Sequence, residues 1–268
     1  MDSHTFTLIC VYILSGLLGL CVGSFLNVVI YRLPNNMSLA SPRSHCTSCH
    51  YSLCWYDNIP VLSYVLLGGK CRKCKCKISP RYMLVELING MLWVLSAVLF
   101  WENSIVYACT AAIVSSALIC IFFIDLEHML IFNRFTLIVA AGGVAAMFTD
   151  NGTVWYEHLI GGVAGGAVFL ALYYGALTVL KKEGLGFGDV KYATAAGLLL
   201  GWKKFILAIL LASVAAAIVM SVMNRIQKSD EQTEHPFGPY LAAGTLVAMV
   251  AGDAIITRYA GFLMDLII

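Results

Sequence analysis

Two carboxylates stand where acid–base chemistry could be done. Asp125 follows the apolar run Ile121-Phe122-Phe123-Ile124, and Asp189 closes Gly186-Phe187-Gly188-Asp189. An ionisable group inside or beside an apolar span is costly, so each counts as a functional candidate. Two neighbouring carboxylates do not both ionise easily; one keeps a proton while the other stays anionic. Such a pair suits peptide-bond hydrolysis, in which the anion activates water and the acid protonates the carbonyl oxygen and then the leaving amine. Gly186 and Gly188 allow a sharp backbone turn and close approach to a bound chain. The bland alternative is that both acids are merely solvated at helix ends.

A second constellation is sulfur. Cys46-Thr47-Ser48-Cys49 is matched, 21 residues on, by Cys71-Arg72-Lys73-Cys74. Two such knuckles can place four thiolates tetrahedrally around Zn²⁺, and four thiolates leave no open position for water, so the metal would be structural. Lys70, Arg72, Lys73, Lys75 and Lys77 would offset the negative charge of that site. Reduced free thiols are the alternative. Cys54 and Cys76 fall outside the knuckle spacing and read as spare, though either could substitute as a ligand.

The elements that must hold these groups are membrane spans. The chain is 60% hydrophobic and 12% charged, with a mean hydropathy of +0.84, far from the composition of a water-soluble domain. The apolar residues come in blocks of about 20, the length that crosses a bilayer. The expected fold is an all-α polytopic membrane protein of eight spans, with a cysteine-rich loop between the first two. The first block covers Phe6–Tyr31; others follow at Tyr82–Phe100, Ile105–Ile124, Phe135–Phe148, His158–Leu180, Lys191–Leu200, Phe205–Met223 and Pro236–Thr257. This divides the chain into a first helix (1–31), the loop (32–81) and a seven-helix membrane domain (82–268). Alternation puts 14 of the 17 basic residues on one side, including the loop, Arg134, Lys181, Lys182, Lys191, Arg225 and Lys228. Basic residues are retained on the cytoplasmic side, so the loop and both aspartates are expected there and both termini outside. A net charge of +2 gives no case for nucleic acid.

The ordered set of motifs is more specific than any one. Gly23-Ser24-Phe25-Leu26-Asn27 opens the run that ends at Arg32-Leu33-Pro34. Trp55-Tyr56-Asp57-Asn58-Ile59-Pro60 lies between the knuckles, followed by Ile78-Ser79-Pro80-Arg81-Tyr82 and Val85-Glu86-Leu87. Asp125-Leu126-Glu127, Gly186-Phe187-Gly188-Asp189-Val190-Lys191 and Pro236-Phe237-Gly238-Pro239-Tyr240 complete it. Together they resemble the type IV prepilin peptidases over nearly the whole chain. That resemblance implies a GxGD-type intramembrane aspartyl protease with Asp125 and Asp189 as the catalytic pair and Gly186, Gly188 and Lys191 as motif support. It implies removal of a short basic leader from type IV prepilins or pseudopilins at the cytoplasmic face of the bacterial inner membrane. It also implies methylation of the new N-terminus from S-adenosylmethionine. Ile131-Phe132-Asn133 stands where the family has an Ile-Pro-Asp type turn, Thr47 where a Pro is usual, and Met83 where Pro often follows Tyr82.

No glycine-rich cofactor fingerprint precedes a soluble helix, so a methyl-donor site must be built from the loop and the adjoining helix ends. Trp55 offers an aromatic face for a sulfonium cation, and Asp57 is the loop's one acid among eight basic residues. Plain pairing of Asp57 with a Lys or Arg is the competing expectation. Glu86 and Asn27 either line a site or are buried hydrogen-bonding groups. Two other classes remain. An ion or proton relay would spread its acids across the membrane depth, whereas these share one face. A zinc-knuckle scaffold gives no reason for a Gly-x-Gly-Asp paired with a second boundary aspartate.

Overall fold

The computed structural model describes residues 2–150, 152–180, 186–227 and 235–267. The helices are α1 (Ser3–Arg32), α2 (Leu62–Leu66), α3 (Pro80–Phe100), α4 (Ile105–His128), α5 (Asn133–Thr149), α6 (Trp155–Gly175), α7 (Phe187–Gln227) and α8 (Gly238–Ile267). A 3₁₀ turn at Trp55–Asn58 precedes α2, and a π turn at Ala176–Leu180 continues α6. Local chemistry sets several ends. Pro34 lacks the amide that would prolong α1. Ser79 caps α3, its Oγ accepting from the Arg81 amide at 3.3 Å, with Pro80 at the first helical position.

Six of the helices are long and apolar enough to cross a membrane: α1, α3, α4, α6, α7 and α8. Helix α5, at 17 residues, is apolar but shorter. The spans expected at Lys191–Leu200 and Phe205–Met223 lie in the single 41-residue α7, interrupted at Gly201. There φ is 74° and ψ 163°, a region open essentially to glycine alone. The break frees the Leu198 carbonyl, which accepts from His158 Nδ1 at 2.9 Å. Of the basic residues behind the orientation argument, Lys181, Lys182 and Lys228 lie outside the described residues.

The chain forms two compact units, Met1–Cys120 and Ile121–Ile268. In the first, α1 packs on α3 through small residues: a Cβ at Gly19 would come within 2.7 Å of Trp93, and one at Gly23 within 2.8 Å of the Glu86 Cα. Buried Asn89 donates to Gly19 O at 2.7 Å and accepts from Ser116 Oγ at 2.8 Å, and Trp93 Nε1 donates to Ser116 Oγ at 2.9 Å. These bonds link Asn89, Trp93 and Ser116 within the apolar layer, where an unmade hydrogen bond costs most. In the second unit, the backbones of α6 and α7 touch at Gly161 and Gly197, leaving no room for a Cβ on either. Tyr192 OH donates to Thr245 Oγ1 at 2.9 Å, tying α7 to α8.

Candidate active site

Asp125 sits in the last turn of α4 and Asp189 in the first turn of α7; both are buried, at 5% and 9% exposure. Each is held by a glycine backbone. The Gly186 amide donates to Asp189 Oδ2 at 3.2 Å, while the Asp189 amide donates to Gly186 O at 3.0 Å. Asp125 takes its amide from Gly238, the residue that opens α8. A Cβ at 238 would collide with Asp125 Oδ2. Ile131, in the α4–α5 turn, lies against both this glycine and Gly188, within 3.2 Å of where either would carry a Cβ. Four segments thus converge on the two acids. Asp189 Oδ1 is buried with no partner among the described residues, so it is the oxygen available to a substrate or a water.

Lys191 is two residues beyond Asp189, about half a helical turn and so toward the opposite side of α7. Its ammonium donates to Asn133 Oδ1 at 3.1 Å and lies over the Phe187 ring, so it braces the start of α7 from outside the pair. Gly238 is the residue that sequence reasoning missed. Its motif, Pro236-Phe237-Gly238-Pro239, was visible, but nothing along the chain linked it to Asp125.

The cysteine segment folds as two matching knuckles. His50 N donates to Cys46 O at 2.9 Å and Lys75 N to Cys71 O at 3.0 Å. Cys46 N donates to Tyr51 O and Cys71 N to Cys76 O, both at 2.9 Å. His50 and Lys75 take the same left-handed turn, at φ 55° and 60°. Cys76 therefore occupies the place in its knuckle that Tyr51 has in the other. Cys46, Cys71, Cys74 and Cys76 have sulfurs within 4.8 Å of one another. Cys49 Sγ is 4.0 Å from Cys71 Sγ, and Cys46 Sγ is 3.8 Å from Cys74 Sγ. Those last two separations are near the edge of a zinc–thiolate tetrahedron, roughly 3.8 Å for a bond of ~2.3 Å. The Cys74–Cys76 separation, 3.1 Å, is too short for two ligands of one ion. Cys76, expected to be spare, is thus a fifth sulfur against the cluster. The amides of Cys49 and Ser48 hold the Cys46 thiol down to about 6. The Tyr51 amide lowers Cys49, but burial and the neighbouring thiols outweigh it and push that thiol up to about 12.

The three residues considered for methyl transfer have different surroundings. Trp55 is 81% exposed. Asp57 is buried, its Oδ1 accepting from Arg72 Nε at 2.6 Å and its Oδ2 from Tyr51 OH at 3.4 Å, which is the plain pairing weighed above. Glu86 is buried, and its Oε2 accepts from the Val61 amide at 2.7 Å. Asn27 Nδ2 donates to Tyr82 O at 2.9 Å, joining α1 to α3.

Comparison with known proteins agrees with this division. Residues 17–100 match the bacterial peptidase A24 N-terminal domain, and residues 112–221 match the type IV leader peptidase family. Among named relatives, the prepilin leader peptidase/N-methyltransferase of Stutzerimonas stutzeri is 35% identical over 91% of this chain and 92% of its own length. The chain belongs to the type IV leader peptidase family. The Pseudomonas aeruginosa member of the same name is 33% identical, covering 92% of each chain. An Escherichia coli relative, the type 4 prepilin-like proteins leader peptide-processing enzyme, is 35% identical over 86% of this chain and 90% of its own. No solved structure matches. The first family match falls in the unit that holds the cysteines, while the second spans both aspartates.

Proposed function

We propose that this protein is a multi-pass inner-membrane enzyme that cleaves the leader from type IV prepilins and N-methylates the residue exposed. The observation that carries the reading is the burial of Asp125 and Asp189, each held by a glycine backbone where helix ends converge, in a member of this family. In the reaction one carboxylate, as the anion, takes a proton from the attacking water. Its partner, protonated, gives its proton to the scissile carbonyl oxygen and recovers one for the leaving amine. Asp189 Oδ1, unpartnered, is the oxygen we assign to the water. The carboxylates lie at the cytoplasmic face, where a short basic leader would be presented, and both termini lie outside with eight crossings in all. Proton relay and pure scaffolding are disfavoured because neither uses two adjacent acids.

Zinc is assigned to Cys46, Cys49, Cys71 and Cys74, as a structural ion that fixes the two knuckles and takes no part in hydrolysis. S-adenosylmethionine is the methyl donor. Its site belongs to the loop and adjoining helix ends, where a cavity of about 420 Å³ lies between one face of α1 and the loop, lined by Ser24, Phe25, Arg32, Arg43, Asn58 and Pro60. The deciding experiment incubates the purified protein with a prepilin and S-adenosylmethionine and weighs the pilin N-terminus by mass spectrometry. Loss of the leader plus one methyl group is expected; an unchanged prepilin would refute the assignment.

A further inference from the structure

The segment between the knuckles is compact and turns its apolar side chains outward. Ser63 Oγ binds the 3₁₀ turn to α2, with Tyr56 O at 2.9 Å and Ile59 O at 2.8 Å. On the far side Leu62, Val65 and Leu66 are 50%, 60% and 75% exposed. Three large aliphatic side chains on five residues form a patch that marks an interaction surface rather than a wet loop.

The depth of that patch follows from what holds it. Val61, just ahead of α2, donates its amide to Glu86. Glu86 is six residues into α3, hence about 9 Å along that helix from its start. Gly23 of α1 packs on the same residue, nine positions before α1 ends at Arg32. Helix α2 is therefore level with the apolar bodies of α1 and α3, not with their polar ends. Val61 is the centre of a γ-turn, at φ 61° and ψ −50° with Leu62 N donating to Pro60 O at 2.6 Å, a strained conformation that a β-branched residue takes only under constraint. Just beyond α2, Lys70, Lys73, Lys75 and Lys77 are all exposed. An apolar face flanked by lysines is the pattern of a helix lying in the plane of an anionic bilayer surface.

We propose that α2 is an in-plane membrane anchor. Leu62, Val65 and Leu66 enter the acyl layer of the bilayer that α1 and α3 cross, the knuckle lysines meet anionic headgroups, and the Glu86 carboxylate sets the depth through Val61. The cysteine segment is then a layer pinned to the membrane surface, whatever reaction the aspartates perform.

The test uses the full chain carrying Leu66→Trp, a position exposed enough to take the ring. It is reconstituted in phosphatidylethanolamine–phosphatidylglycerol vesicles whose acyl chains are brominated near the headgroup. The added emission, taken as the difference from the parent protein, should fall roughly twofold or more with brominated lipid and change little with aqueous iodide. Quenching by iodide but not by brominated lipid would place α2 in water and overturn the proposal. Quenching by neither would mean that protein covers the patch, which overturns it equally. Adding Glu86→Ala, which removes the acceptor of the Val61 amide, should shift the same probe toward iodide; an unchanged probe would remove Glu86 as the element that sets depth.

Discussion

Asp125 and Asp189 each depend on one glycine amide, so what surrounds an acid matters as much as the acid. Asp125→Asn and Asp189→Asn are each expected to lower prepilin cleavage by about 10²–10⁴-fold or more, since the pair shares one proton and acts as a unit. Size-exclusion profiles and membrane insertion should remain those of the parent. Gly238→Ala is expected to be nearly as damaging although it removes no ionisable group, because the new methyl collides with Asp125 Oδ2. Normal cleavage by the alanine variant would show that α8 does not position Asp125. Asp57 invites a different experiment. Its bond to Arg72 joins the inter-knuckle turn to the second knuckle, so Asp57→Ala and Arg72→Ala should loosen the loop alike, read as faster proteolysis between Arg32 and Arg81. A loss of methylation confined to Asp57→Ala would give that carboxylate a direct role with the donor.

Among the elements, the knuckles make the sharpest demand. With Cys46, Cys49, Cys71 and Cys74 as ligands, Cys49→Ser should reduce bound zinc well below the parent's one ion per chain, while Cys76→Ser should retain it. Metal analysis of the two purified variants decides this, and the reverse pattern would make Cys76 the fourth ligand. After removal of the metal by chelator, Cys46 should be alkylated first as pH rises through about 6, the value to which the surrounding amides lower its thiol. Below that pH it holds its proton and reacts slowly. Much of this was legible along the chain: knuckle spacing foretold clustered sulfurs, and apolar runs foretold most of the long helices to within about five residues, although α8 runs ten residues past Thr257. Three things were not. Cys76 is a neighbour of the cluster because its knuckle curls back, which a spacing rule does not register. Asp57 had eight basic residues of the loop as possible partners, and only folding selects Arg72, 15 positions away. The break in α7 fell in the gap between two expected spans, yet only the backbone angles of Gly201 show that the helix resumes at once instead of entering a loop.

Along the whole molecule the knuckle cysteines and the paired aspartates fall in two contiguous stretches, Cys46–Cys76 in the first unit and Asp125 and Asp189 in the second. Separable activities should follow. Given a pilin already relieved of its leader, Asp189→Asn protein should still transfer the methyl group, whereas its action on intact prepilin should yield neither product. Mass spectrometry of both substrates checks this, and failure on the trimmed pilin would tie methylation to the acids. The first helix carries a further consequence. It has 30 residues, about 45 Å of helix, and protein covers only 11% of its most apolar window. Most of its flank is therefore solvated by lipid, and it is longer than the roughly 30 Å hydrocarbon layer of an ordinary bilayer. A rod that long can fit by leaning, and the lean then depends on how thick the surrounding layer is. Cells that shorten or lengthen their fatty acids with growth temperature would thus tilt this helix, and with it the Arg32 end from which the cysteine segment departs.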